Sequence, residues 1–113
     1  MFRSLMKASK SSWNGHVIAD ICVIPVVTDS VSLSKEIAKV EKILARFPLE
    51  RKLHAYGTNL EGKWDDVSEA IKAIHTELHD SGIVRISCNM RWGSRIDKAQ
   101  TLQDKVDSVE ALL

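Results

Sequence analysis

The sequence predicts an α+β sandwich: four antiparallel strands in one sheet, with two helices packed on one of its faces. Three observations predict it. Runs with period-two alternation and runs with helical spacing follow one another as strand, helix, strand, strand, helix, strand. The two middle strands are joined by a turn at Tyr56-Gly57, short enough only for a hairpin. The chain of 113 residues, 44% apolar and 27% charged, has the size and composition of one globular domain with a sizeable core.

Val17 to Ile24 is rich in β-branched residues and is expected to end at Pro25. This strand is apolar on both faces. Val17, Ala19, Ile21 and Val23 lie on one, and Ile18, Cys22 and Ile24 on the other, where Asp20 is the only polar member. Ser30 or Ser32 is the expected cap of the first helix, in which Ile37, Val40, Ile43, Leu44 and Phe47 recur at helical spacing. Pro48 stops it. Arg51 to Ala55 and Thr58 to Glu61 form the hairpin arms, and Gly62 is expected to release the chain into the second helix.

That helix opens with Asp65 and Asp66, whose negative charge suits the positive end of the dipole. It places Val67, Ile71, Ile74 and Leu78 on one stripe, with Gly82 as its C-terminal cap. In the fourth strand, Ile83 to Trp92, the pattern sends Val84, Ile86, Cys88 and Met90 toward the helices. Arg85, Ser87, Asn89 and Arg91 face the open side. Asp97 and Gln100 resemble a capping box opening a last helix with Leu102, Val106, Val109 and Leu113 on one face. The order βαββαβ plus a C-terminal helix is the ferredoxin-like arrangement. It leaves one sheet face uncovered, and the apolar residues of the first strand on that face predict a second subunit there, in a sheet-to-sheet dimer, with partial cover by the C-terminal helix as the alternative.

A net charge of +1 gives no field that would attract nucleic acid or an anionic membrane surface. No apolar run is long enough to span a bilayer. Cys22 and Cys88 lie inside strands without metal-ligand spacing, as reduced core thiols of a cytoplasmic protein would, with a disulfide as the minority reading. Residues 1–16 are basic, Ser-rich and free of acids. They read as a flexible leader before a single domain over 17–113, with a mitochondrial presequence as the minority reading.

Glu61 is the foremost candidate for chemistry. A carboxylate beside a helix start needs a partner, which is either a ligand or an arginine across the sheet, Arg85 or Arg91. Strict alternation puts Thr58 and Glu61 on opposite faces, so a ligand shared by both needs a bulge or strand end between them. His75 and His79 are four apart on one helical face, but without the order of a zinc-binding helix or a cysteine partner they predict no metal site. No nucleophile elbow, phosphate loop or dinucleotide fingerprint is present, so neither catalytic residues nor a cofactor are expected. Strand four lacks the aromatic stacking pattern of RNA-binding sheets.

Residues 56–67, Tyr-Gly-Thr-Asn-Leu-Glu-Gly-Lys-Trp-Asp-Asp-Val, carry a resemblance. Gly57-Thr58 followed by Glu61-Gly62 is similar to the Gly-Thr-x-x-Glu-Gly signature of the small thiamine-binding (YkoF-like) proteins, a ferredoxin-like family. Collinear flanks run from about Ala19 to Val106. They include Pro25, Thr28-Asp29-Ser30, Arg85 and Arg91, and Gly93 to Lys98 is closest to the eukaryotic branch. The resemblance implies binding of thiamine or its hydroxymethylpyrimidine part without turnover, for sequestration, delivery or sensing, with Glu61 in the ligand site and self-association into dimers and tetramers. Thr58, Glu61 and Asn89 are then the expected contacts to the pyrimidine edge, with Trp64, Arg91 and Asp29 as further ligand contacts. Two other classes stay open: a structural or regulatory oligomer without a small ligand, and a small enzyme acting on a related heterocycle with Glu61 as base and a histidine beside it.

Overall fold

The structure is a computed structural model that describes residues 13–26 and 33–113. The elements run β1 (His16–Val26), α1 (Ser34–Leu44), β2 (Glu50–His54), β3 (Gly57–Lys63), α2 (Trp64–Asp80), β4 (Arg85–Gly93) and α3 (Leu102–Glu110). The sheet order is β2-β3-β1-β4, with every pair antiparallel. This is the predicted ferredoxin-like α+β arrangement with its additional C-terminal helix.

The core lies between the sheet and the helices α1 and α2. Val17, Ala19, Ile21 and Val23 of β1, with Leu60 of β3, meet Val40, Ile43 and Leu44 of α1 and Val67, Ala70, Ile74 and Leu78 of α2. Alternation in the strands and the helical stripes thus supply matching apolar surfaces, and their burial is the main drive for the fold. A Schellman cap closes α2: Gly82 adopts φ +103°, its N–H reaches the His79 carbonyl at 3.0 Å, and the Ile83 N–H reaches that of Leu78 at 3.1 Å.

Several boundaries differ from the sequence expectations. Pro25 lies inside β1, opposite Ile86 of β4. It sits beyond Ile21–Thr58, the last β1–β3 pair, where β1 has a neighbour on one side only and a residue without an N–H is tolerated. Gly62 does not release the chain; it pairs with Val17, and the helix begins only at Trp64. Val84 precedes the strand and is exposed, whereas Ile83 is buried and packs on the core. The box that opens α3 is Thr101 with Asp104, not Asp97 with Gln100. Both its bonds are made, at 3.0 and 2.9 Å, and Arg95 instead gathers Asp97 and Gln100. Residues 13–16, expected in the leader, pack against the domain: the Gly15 carbonyl accepts the N–H of Trp64 at 2.7 Å. Thr28, Asp29, Ser30 and Ser32 lie outside the described residues, so the expected cap of α1 and the Asp29 contact do too.

Candidate functional site

Thr58 and Glu61 lie on opposite faces of the sheet, because β3 runs without a bulge and alternation holds. Thr58 stands opposite Ile21 on the helix side and is buried. Its hydroxyl donates to Glu41 Oε2 at 2.7 Å, and Arg51 Nη1 donates to the other oxygen at 2.9 Å. Glu41 reaches Thr58 because it follows the buried Val40 on α1, at the border of the stripe that packs on the sheet. Arg51 of β2, opposite Leu60, comes from the same side.

Next to this trio, β1 continues to Val26 while the hairpin already turns back at Ala55–Tyr56. The mismatch in strand length leaves a cavity of about 190 Å³ beneath α1. Ile21, Val23, Ile37 and Leu53 are among its apolar walls, and Thr58 with Glu41 forms a polar pole. Apolar walls with a few placed polar groups are what small-molecule sites consist of.

The open face carries a second polar group. Asp20 is its hub: Oδ1 accepts from His54 Nε2 at 2.7 Å and from Asn59 Nδ2 at 3.1 Å, and Oδ2 from Arg91 Nη2 at 3.4 Å. The register explains the gathering, since Lys52, Asn59, Asp20 and Arg91 form one row across all four strands. His54 Nδ1 accepts the N–H of Tyr56 at 3.2 Å, so the ring proton lies on Nε2, toward Asp20. Asn89 is exposed in the neighbouring row, opposite Cys22.

Glu61 lies on this face as well, opposite Ile18, with its side chain 12% exposed. Neither predicted arginine meets it: Arg91 is taken by Asp20, and Arg85 pairs with Val26 at the far end of β1. Instead Oε2 accepts from His16 Nε2 at 2.8 Å, and Oε1 accepts the Leu102 N–H at 2.7 Å. The carboxylate thus sits on the positive end of α3 and ties that helix to the sheet. Around it, a groove of about 440 Å³ runs between His16 and Arg95, Lys98 and Thr101.

Trp64 opens α2 and packs at a 48° tilt against Trp92 with ring centroids 4.3 Å apart, while Trp13 meets it edge-on at 6.1 Å. These rings occupy the end of the sandwich away from the Thr58 cavity. Cys22 and Cys88 are free and face opposite sides of the sheet. Burial, reinforced by the neighbouring Cys22, pushes the Cys88 thiol above its usual range. His75 and His79 lie with ring centroids 6.3 Å apart, and His79 Nδ1 donates to the Ile83 carbonyl at 2.7 Å. Among the described residues, no group of three or more His, Cys, Asp or Glu is placed to hold a metal, and no helix is long and apolar enough to cross a membrane.

Sequence reasoning missed Glu41, Asp20 as a hub, and the roles of His16 and Asn59. For Glu41 the one available signal was its place beside Val40; for Asp20 it was being the lone polar residue on an apolar strand face.

Similarity to known proteins agrees with this architecture. A UPF0045 protein of Synechocystis is 46% identical over 98 residues, covering 87% of this chain and 80% of that protein. A UPF0045 protein of Eremothecium gossypii is 45% identical, covering 87% of this chain and 93% of its own. The crystal structure of a hypothetical protein from Methanocaldococcus jannaschii superposes with a TM-score of 0.78 at 26% identity, over 85% of this chain and 97% of that one. A Thermotoga maritima protein proposed to act in thiamine biosynthesis or salvage shares the fold, with a TM-score of 0.72 at 18% identity, over 83% of this chain and 98% of that one. Residues 19–110 match the model of the family described as thiamine-binding protein, and with this extent of agreement the chain belongs to that family.

Proposed function

We propose that this protein binds thiamine or its hydroxymethylpyrimidine part without transforming it, for sequestration, delivery or sensing. The observation that carries this reading is the cavity beside Thr58, with apolar walls and the Thr58–Glu41 pair at one pole. Its volume of about 190 Å³ is below the ~300 Å³ at which drug-sized pockets begin. It therefore suits the pyrimidine ring, with the thiazolium directed outward. Thr58, the threonine of the family signature, supplies a hydroxyl to the ring edge.

Glu61, Asn89 and Arg91 face the other side of the sheet, and that side is the proposed surface for self-association. Trp64 is engaged with Trp92 and Trp13. An enzyme with Glu61 as base has one observation in its favour, His16 at 2.8 Å. Against it, both oxygens of Glu61 are already engaged, one by His16 and the other by the Leu102 N–H at the start of α3.

Thermal unfolding with millimolar thiamine, hydroxymethylpyrimidine and thiamine phosphates tests the reading. A ligand at a hundredfold its dissociation constant adds about 2.7 kcal/mol, a shift of several degrees. The expected shift is reduced in Thr58→Val and retained in Asn89→Ala. A flat response to every compound overturns the reading in favour of a structural oligomer. A shift lost in Asn89→Ala and unchanged in Thr58→Val moves the ligand to the open face.

A further inference from the structure

Glu41 is the acid that the cavity holds, and it belongs to no motif. Its side chain is 14% exposed, yet it remains reachable from the cavity that it lines. The two bonds it accepts, from Thr58 Oγ1 and Arg51 Nη1, use half of what a carboxylate can take, which is about four. Because the Thr58 proton is directed at Glu41, the hydroxyl has only lone pairs left to offer. The pole of the cavity is therefore made of acceptors alone.

Such a pole is complementary to an edge of N–H donors and repels a carbonyl. Charge adds a second selection. No Lys or Arg is among the described residues lining the cavity, so a phosphate placed there would face Glu41 without a countercharge. Arg51 lies outside that lining, where it fixes the carboxylate from behind.

We propose that Glu41 reads the amino group of the ligand, and that the cavity selects an unphosphorylated, amine-bearing heteroaromatic ring. This rests on the reading that the cavity is the ligand site, and it adds the residue and the ligand class. Arg51 acts as a positioning residue, through Glu41.

The test is calorimetric titration of the full chain with hydroxymethylpyrimidine, with the analogue carrying a carbonyl in place of the amino group, with thiamine and with hydroxymethylpyrimidine phosphate. The wild type is expected to prefer the amino compound by about tenfold to a hundredfold, the range for a hydrogen bond to a charged group. Glu41→Gln exchanges one acceptor for a donor and should bring that ratio close to one. Glu41→Asp keeps the carboxylate but shortens it, and should weaken binding while preserving the preference. This second variant keeps the proposal testable if the amide variant folds poorly.

A preference unchanged in Glu41→Gln overturns the role of Glu41 and leaves the binding function standing. Hydroxymethylpyrimidine phosphate binding as tightly as hydroxymethylpyrimidine, or tighter, overturns the selection against phosphate. Absence of binding by all four compounds overturns the function itself and this inference with it.

Discussion

At the scale of single residues, the family signature has a mechanical content that its chemistry conceals. Gly57 begins β3 where the strand passes the backbone of β1, and a Cβ there would lie 2.2 Å from the Ile21 carbonyl oxygen. Backbone cannot yield as a flexible side chain would, so Gly57→Ala should cost more than about 2 kcal/mol. Urea denaturation would detect this, and an unchanged midpoint would mean that the hairpin can shift away from β1. Thr58 follows because the next position points into the core. Glu61 shows where residue-level reading stops. The need of this carboxylate for a partner was legible from its surroundings in the sequence, but its partners His16 and the Leu102 N–H are 45 and 41 positions away. No local pattern specifies such pairings.

At the scale of elements, α3 depends on its first turn. None of its residues is buried, and its capping box together with Glu61 replaces the packing that holds α1 and α2. The backbone N–H of Thr101, followed by its side chain, holds the Asp104 carboxyl below its usual value of 3.8. A carboxyl depressed in the folded state contributes its stability above the ordinary value and loses it as pH falls through the folded one. Amide exchange of Thr101 and Asp104 should therefore accelerate as pH is lowered below about 3.8, beyond the intrinsic trend, and Asp104→Asn should remove that pH dependence. A rate that follows the intrinsic trend throughout would show that the box does not hold the helix. The box was misplaced by four residues in the sequence reading, since Asp97/Gln100 and Thr101/Asp104 carry equally good residue types. What decides between them is Arg95, which takes Asp97 at 2.6 Å and Gln100 at 3.0 Å and leaves Thr101 to start the helix.

At the scale of the whole molecule, the open sheet face joins a polar row around Asp20 to an apolar strip of Ile18, Cys22 and Ile24, and α3 does not bury it. We propose that a second copy, which carries the same strip, covers this face. Light scattering at micromolar concentration is expected to give a dimer or larger assembly, and Ile24→Lys should give a monomer with little loss of thermal stability. A wild-type monomer would remove the assembly from the proposal. In the proposed reading the ligand lies beneath α1 and the association surface across the sheet, and Cys22, Ile24 and His54 border both.

The amino-acid sequence by itself determined the element order, the buried faces and the family. Those follow from periodicities and a short motif that act within a few residues of each other, as in the stripes of α1 and α2 and the turn at Gly57. Tertiary structure alone decided which polar groups meet. Register set Asn59, Asp20 and Arg91 in one row, α1 brought Glu41 to Thr58, and the unequal lengths of β1 and the hairpin opened the cavity. The physical reason is range. Hydrophobic patterning is local and repeated, so many residues report it together, whereas a hydrogen bond between distant side chains is a single event that becomes visible only once the sheet and helices have fixed their positions.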